Sequence, residues 1–332
     1  MLQGRRGRTL IRAASLNQQQ GPQFMGLCFC LSHSMLHLRS RLHGLRTGLL
    51  ALALATALAL LSGCSTIRIV YNQADTILAW MADDYFDLAA AQKQDFHTRI
   101  DRLLTWHRQE QLPDYARWLE EIKQRGQRTV TREDASWLIE GAKTRYRVIA
   151  QQGSGDAVDM LTTLTPDNLR AVEKQFAKVN QKFASEYKLA GTADARRKER
   201  LDRTLKRIRD WTGALNAAQE ARIATLNETI PDTDHLRLQD RQRRQKEFFA
   251  LLTMRHNKAE FARALAPWLA DWEKGRSAEV QLALNDSYEK RITLYLEVER
   301  ILTPQQRTHV QQKIQSYIED IHALTAKRAA LN

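Results

Sequence analysis

"LTPDNLRAVEKQFAKVNQKFASEYKL", residues 164–189, is the stretch that decides the fold class. Leu169, Val172, Phe176, Val179 and Phe183 recur at spacings of 3, 4, 3 and 4. That is the period of one face of an α-helix, and polar residues fill the positions between. The first residues supply the start signal. Thr165 offers a hydroxyl cap, and Pro166 takes the first helical position, where no N–H is needed. Asn168 stands three residues after the cap, where an amide reaches back to close a capping box. The stretch reads as a core-facing amphipathic helix.

The same reading extends in both directions. Residues 70–86 place Val70, Ile77, Leu78, Trp80, Met81 and Phe86 on a short helix. Residues 89–111 carry Phe96, Ile100, Leu103, Leu104 and Trp106 at helical spacing, with a break expected at Leu112-Pro113. Tyr115, Trp118, Leu119 and Ile122 line the next helix. Thr131, with Glu133 and Asp134 in the first turn, opens another, and Gly153-Ser154-Gly155 predicts its end. Helices are expected at 192–212 and at 217–229, the latter stopped by Ile230-Pro231. A long helix from near Asp234 to Trp272 should kink or break at Pro267, and two more span about 276–301 and 304–330. Good helix formers dominate, and no run of alternating β-branched residues appears. The expected fold is all-α, a multi-helix bundle of antiparallel amphipathic helices in one domain, with a hint of two halves. Helical spacing places most of the seven tryptophans in the core.

The N-terminal end of the chain is different. Residues 49–61, LLALALATALALL, form an uncharged apolar run of 13 residues. A membrane-spanning helix needs about 20, whereas the apolar region of a secretory signal has about 7–15. Arg39, Arg41 and Arg46 precede the run, and the first acidic residue of the chain is Asp75. Leu61-Ser62-Gly63-Cys64 then resembles the bacterial lipobox. The resemblance implies cleavage between Gly63 and Cys64 and a diacylglyceryl thioether on Cys64, with residues 1–63 as the signal peptide. Met35 opens a leader of ordinary length, so the expectation is that residues 1–34, with Cys28 and Cys30, precede the true start; the alternative is an extended basic region. Ser65 after the lipidated cysteine, by resemblance to Gram-negative lipoproteins, implies the periplasmic face of the outer membrane. The expected organisation is signal peptide 1–63, a lipid-attached segment 64–84 and a periplasmic helical domain 85–332.

The leader bears on charge. The chain carries a net +13, but seven of its arginines and none of its acids lie in residues 1–63, so the exported part retains +6. The high isoelectric point is therefore no argument for nucleic-acid binding. Cys64 is the only cysteine after the leader, which excludes a disulfide, a cysteine metal site and thiol catalysis.

Four helix starts share a pattern: Leu88–Gln92, Leu164–Asn168, Leu215–Gln219 and Leu302–Gln306. Each puts Leu four residues before an amide, and Thr303, Thr165 and Asn216 can cap, whereas Ala89 cannot. The pattern resembles the LTxxQ motif of the Spy and CpxP periplasmic proteins, all-helical envelope-stress proteins of which Spy is an ATP-independent chaperone. Only Leu302–Gln306 carries the motif in full. A wider resemblance rests on the lipobox together with "VYNQADTILAWMADDYFDL" (70–88) and "WHRQEQLPDYARWL" (106–119). These are similar to an uncharacterised family of proteobacterial lipoproteins with a domain of unknown function. That resemblance implies a periplasmic helical lipoprotein over the whole mature chain and carries no activity.

Candidate site residues are few. His97, His107, His235, His256, His309 and His322 include no pair four apart, and His256 with Glu260 supplies two ligands where zinc takes three or more from protein. His107 lacks a nucleophile to activate. Asp83, Asp84 and Asp87 form an acidic cluster whose expected role is solvation or capping. No Gly-rich phosphate loop, G-x-S-x-G elbow or S-x-x-K motif occurs after the leader. The most suggestive surface is basic. Arg196, Arg200, Arg203 and Arg207 share one helical face, widened by Arg197, Lys198, Lys206 and Arg209. Arg241, Arg243, Arg244 and Lys246 form a second patch. The expectation is a non-enzymatic protein without cofactor or metal. It would be anchored to the membrane by Cys64 and bind an envelope protein client or an anionic envelope polymer. A chaperone-like or stress-associated role and a scaffold role stand side by side, with an enzyme acting on wall or lipid as the third reading.

Overall fold

Each expected amphipathic segment is helical in the computed structural model, which describes residues 66–329, with side chains to residue 326. The expected signal peptide and lipobox, with Cys64, lie outside the described residues. Residues 62–332 form a compact unit of their own. Among the described residues all regular structure is helical. In chain order the helices are α1 (Thr66–Asn72), α2 (Ala74–Phe86), α3 (Ala90–Trp106), α4 (Leu112–Arg125), α5 (Arg132–Thr162) and α6 (Pro166–Glu186). They continue with α7 (Ala193–Thr212), α8 (Ala217–Glu228), α9 (Asp234–Leu252), α10 (Lys258–Ala270), α11 (Ala278–Ile301) and α12 (Pro304–Ala329).

The hint of two halves becomes an internal repeat. In the first half α2 packs on α3 and α6, and α3 packs on α5. In the second half α7 packs on α8 and α12, and α8 packs on α11. The four shared helix starts occupy the two corresponding turns of each half. They also touch in pairs. Gln219 and Gln306 exchange amide hydrogen bonds, and Gln219 Nε2 donates to Ile301 O at 2.8 Å while Gln306 Nε2 donates to Ala214 O at 2.7 Å. In the first half Gln92 Nε2 donates to Asn168 Oδ1 at 3.1 Å, and Asn168 Nδ2 donates to the carbonyls of Phe86 and Asp87. Each amide thus caps its own helix and the turn of its counterpart. Capping is local: the Asn168, Gln219 and Gln306 N–H groups donate to Thr165, Asn216 and Thr303, whereas at Ala89 only the return bond forms, its own N–H donating to Gln92 Oε1. Asp87 holds the turn before α3 with φ of 49°, a left-handed conformation that Asp tolerates.

Three cores hold the body together. The largest gathers Leu88, Leu164, Val172, Phe248, Phe261 and Leu265, with the Phe176 ring of the 3-4-3-4 stripe packed against it. A second joins Leu205, Ile208, Ile223, Leu294 and Val298, and a third joins Leu112, Ala116, Ile321 and Leu324. Residues 66–84 pack on this body, with α1 against α12 and an Arg68–Asp320 ion pair at 3.1 Å. Gly141 of α5 lets α4 approach: a Cβ there would stand 2.8 Å from Trp118 Nε1.

Four expectations need correction. First, Leu112-Pro113 does not break the chain. A π-helical turn, His107–Gln111, links α3 to α4, with the Leu112 N–H bonded five residues back to His107 O. The wider turn accommodates a proline that offers no donor and whose ring would crowd the carbonyl four residues earlier. Second, α5 runs through Gly153-Ser154-Gly155. A glycine costs a helix about 1 kcal/mol relative to alanine, and packing of α5 against α3 and α10 outweighs that. Third, the segment 234–272 is two helices folded back at Thr253–Asn257, well before Pro267. Thr253 Oγ1 and Arg255 Nη1 donate to the last carbonyls of α9, and Asn257 caps α10. The fold-back carries Phe261 and Leu265 into full burial. Pro267 lies near the end of α10, where few bonds remain to be lost. Fourth, none of the seven tryptophans is fully buried. Trp80 is 66% exposed, and Trp118, Trp137, Trp211 and Trp268 serve as platforms for Arg145, Arg125, Lys313 and Arg244.

Candidate functional site

The basic face of α7 is the natural starting point. Arg196 Nε sits 2.8 Å from Asp232 Oδ2, and Arg200, 6% exposed, lies 3.5 Å from the same carboxylate. Arg203 pairs with buried Asp234 at 3.2 Å and stacks over the Tyr187 ring at 3.9 Å. Three of the four arginines therefore turn toward the residues that open α9. Burial pushes the Asp232 carboxyl up, but Arg196 and Arg200 bring it below its usual range. Arg207 differs, because its one hydrogen bond goes to Tyr295 Oη at 3.2 Å. In the second patch Arg243 is bound by Asp240 and Glu247, and Arg244 donates to Trp268 O, while Arg241 and Lys246 are exposed.

The acidic cluster is dispersed into structural roles. Asp83 accepts the Leu88 N–H and pairs with Lys93, Asp84 accepts from Gln175, and Asp87 ends α2. His107 lies in the π-helical turn with its Nδ1 2.9 Å from Tyr71 Oη, edge-on to Tyr115. Burial lowers the imidazole's affinity for a proton and raises the Tyr71 phenol. Among the described residues no serine or threonine hydroxyl is hydrogen-bonded to this histidine. Among the described residues no group of three His, Cys, Asp or Glu side chains is arranged to hold a metal ion.

The feature that sequence reading missed is a cavity of about 510 Å³. It opens between the end of α4, the start of α5 and facing stretches of α11 and α12. Ile122, Val130, Leu138, Ile292, Leu296 and Ile314 give it apolar walls. Tyr288, Ile292, Tyr295 and Glu299 line it from α11 at helical spacing, and Arg291 joins them. Polar groups are few and placed at its margins. Asp134 is buried and receives Arg125 at 2.9 Å, Arg128 at 2.6 Å and the Thr131 N–H at 3.0 Å. The Arg128 bond holds its carboxyl far below the usual range. Glu299 is ion-paired with Arg307. Three buried polar atoms on the lining lack a hydrogen-bond partner: Arg291 Nε, Glu299 Oε2 and Gln311 Oε1. Each such group costs about 1–3 kcal/mol when left unmade, which marks the site as one whose lining is unsatisfied by protein alone. Small-molecule sites have this character: apolar walls, a few convergent polar groups and a volume of about 300–1,000 Å³.

The signal for this cavity is spread over segments far apart in the chain, so no single window displays it. Within α11 the spacing of Tyr288, Arg291, Tyr295 and Glu299 is legible, but it reads like any half-buried face.

No helix among the described residues is long and apolar enough to cross a membrane. No curated protein and no solved structure matches the chain. A family match covers residues 84–281, more than half of the chain but less than the whole mature sequence that the resemblance implied. The chain belongs to this family, DUF6279, a family of unknown function.

Proposed function

We propose that this protein is a non-enzymatic binding protein, anchored by lipid on Cys64 to the periplasmic face of the outer membrane, and that the cavity between α4, α5, α11 and α12 is its binding site. The cavity carries this reading: it is apolar, sized for a small ligand, and rimmed by buried polar atoms without partners. The membrane tether draws support from α1 and α2. Ile69, Val70, Ile77, Trp80 and Met81 are exposed on the two helices that follow Cys64 in the sequence. A tryptophan among aliphatic side chains suits the boundary of a bilayer. The chaperone-like role is a narrower form of the same proposal. It would use the cavity mouth for apolar clients, since Arg196, Arg200 and Arg203 are engaged within the protein.

The test uses the unit Ser65–Asn332, which contains all three cores and the paired amides. Titration with a neutral apolar dye such as N-phenyl-1-naphthylamine should show one saturable site. Ile314→Trp, which fills the cavity from α12, should weaken that binding at least tenfold with the helical signal retained. Equal binding by the two proteins would remove the cavity from the proposal. The tether has a separate check: the N-terminal peptide of the exported chain should carry acyl groups on Cys64, and Cys64→Ser should leave the membrane fraction. A wild-type chain with a free thiol there would end the tether reading.

A further inference from the structure

Arg291 poses a question of charge. It lines an apolar cavity, it is half-buried, and its Nε has no partner. Among the described residues no carboxylate lies within ion-pair distance of it, nor of its neighbours Arg207 and Arg237. The nearby acid, Asp234, is occupied by Arg203 at 3.2 Å. Arg207 touches the cavity through Tyr295, whose hydroxyl receives its hydrogen bond and whose ring is part of the lining. Burial weakens the hold of Arg291 on its proton, and the positive charges of Arg237 and Arg207 act in the same direction. A guanidinium stays protonated in spite of this. The cavity lining therefore holds a part-buried cation, Arg291, with no carboxylate among the described residues in ion-pair distance, and Arg207, bonded to the lining residue Tyr295, adds positive charge nearby. A buried charge left unpaired is costly, and a guanidinium is built to receive carboxylate or phosphate oxygens.

Resting on the cavity as the binding site, we infer that its guest is a single-chain amphiphile with one anionic headgroup: the acyl chain lies along Ile292, Leu296 and Ile314, and the carboxylate or phosphate meets Arg291, with Arg207 and Arg237 behind it. The cavity volume of about 510 Å³ suits a chain rather than a bilayer-forming lipid with several. Of the other charges on the lining, Asp134 is taken by Arg125 and Arg128, and Glu299 pairs with Arg307 through one oxygen, so the lining keeps a positive excess that includes Arg291.

The test compares four probes on Ser65–Asn332 below their micelle concentrations, by displacement of the neutral dye: palmitate, hexadecyl phosphate, hexadecanol and hexadecyltrimethylammonium. Palmitate, hexadecyl phosphate or both should bind at least tenfold more tightly than hexadecanol, and the stronger of the two identifies the headgroup. Arg291→Gln should abolish that preference while hexadecanol binding persists. Arg237→Gln, at an exposed position where folding is not at stake, should reduce it severalfold. Equal affinity for anionic and neutral probes, or a preference for the cationic one, would overturn the inference and leave the apolar binding site standing. A preference that survives both variants would also overturn it. Failure of all four probes to displace the dye would remove the cavity reading itself.

Discussion

Asp134→Ala is expected to lower the stability of the unit by about 1–3 kcal/mol, the cost of unmaking a buried acceptor's hydrogen bonds, because the two arginines it leaves behind are part-exposed. Asp134 is 5% exposed and accepts from Arg125, from both terminal nitrogens of Arg128, and from the N–H and hydroxyl of Thr131. Alanine leaves two guanidinium groups facing each other at the start of α5 and opens the capping box there. The pH dependence has a definite sign. The folded carboxyl holds its proton more weakly than the unfolded one, so its contribution is fully present above ~4, the ordinary Asp value, and is lost as pH falls below it. Urea unfolding of wild type and variant at pH 7 and at successively lower pH should therefore show a large gap that narrows on acidification. A gap below about 1 kcal/mol at pH 7, the size of an exposed pair, would show that water satisfies the two arginines without Asp134.

The second large effect is expected at Gln306→Ala, about 3 kcal/mol. Gln306 is 8% exposed and its amide serves the Thr303 N–H, the Ala214 carbonyl and the side chain of Gln219, itself 5% exposed. Truncation orphans groups on three elements at once, and each buried orphan costs about 1–3 kcal/mol. The corresponding change in the first half, Gln92→Ala, should cost nearer 1 kcal/mol, because Gln92 is only half-buried and water replaces its bonds. Thermal unfolding of the two variants gives the comparison. Equal effects would mean that burial of the second pair adds nothing.

The helical architecture was legible because its signals are local. The 3-4-3-4 stripe of Leu169–Phe183 and the Thr165, Asn216 and Thr303 caps need only their own windows, and the helices stand where those windows place them. The failures came where packing overrides local preference. Gly153 and Gly155 stay helical because α10 and α3 hold α5. Thr253–Asn257 turns because Phe261 and Leu265 gain a core by folding back. The site was less legible than the fold. Arg196, Arg200, Arg203 and Arg207 did fall on one face, but their acidic partners Asp232 and Asp234 lie on the other side of α8 in the sequence, and no spacing rule connects them. Nothing in the sequence singles out Arg291, since the absence of a partner is a property of three dimensions.

The two halves each carry a piece between their second and third shared helices: α4 in the first, α9 with α10 in the second. Neither piece stays at home. α4 packs on α12 of the second half, while α10 packs on α5 and α9 on α6 of the first. The arrangement is that of a domain-swapped dimer whose two chains have been joined end to end. Severing the peptide link near Gly191 should then leave a nicked but assembled molecule, whereas either half made alone would expose the seat of the other's exchanged arm. Such interlocking makes the two halves melt as one cooperative body.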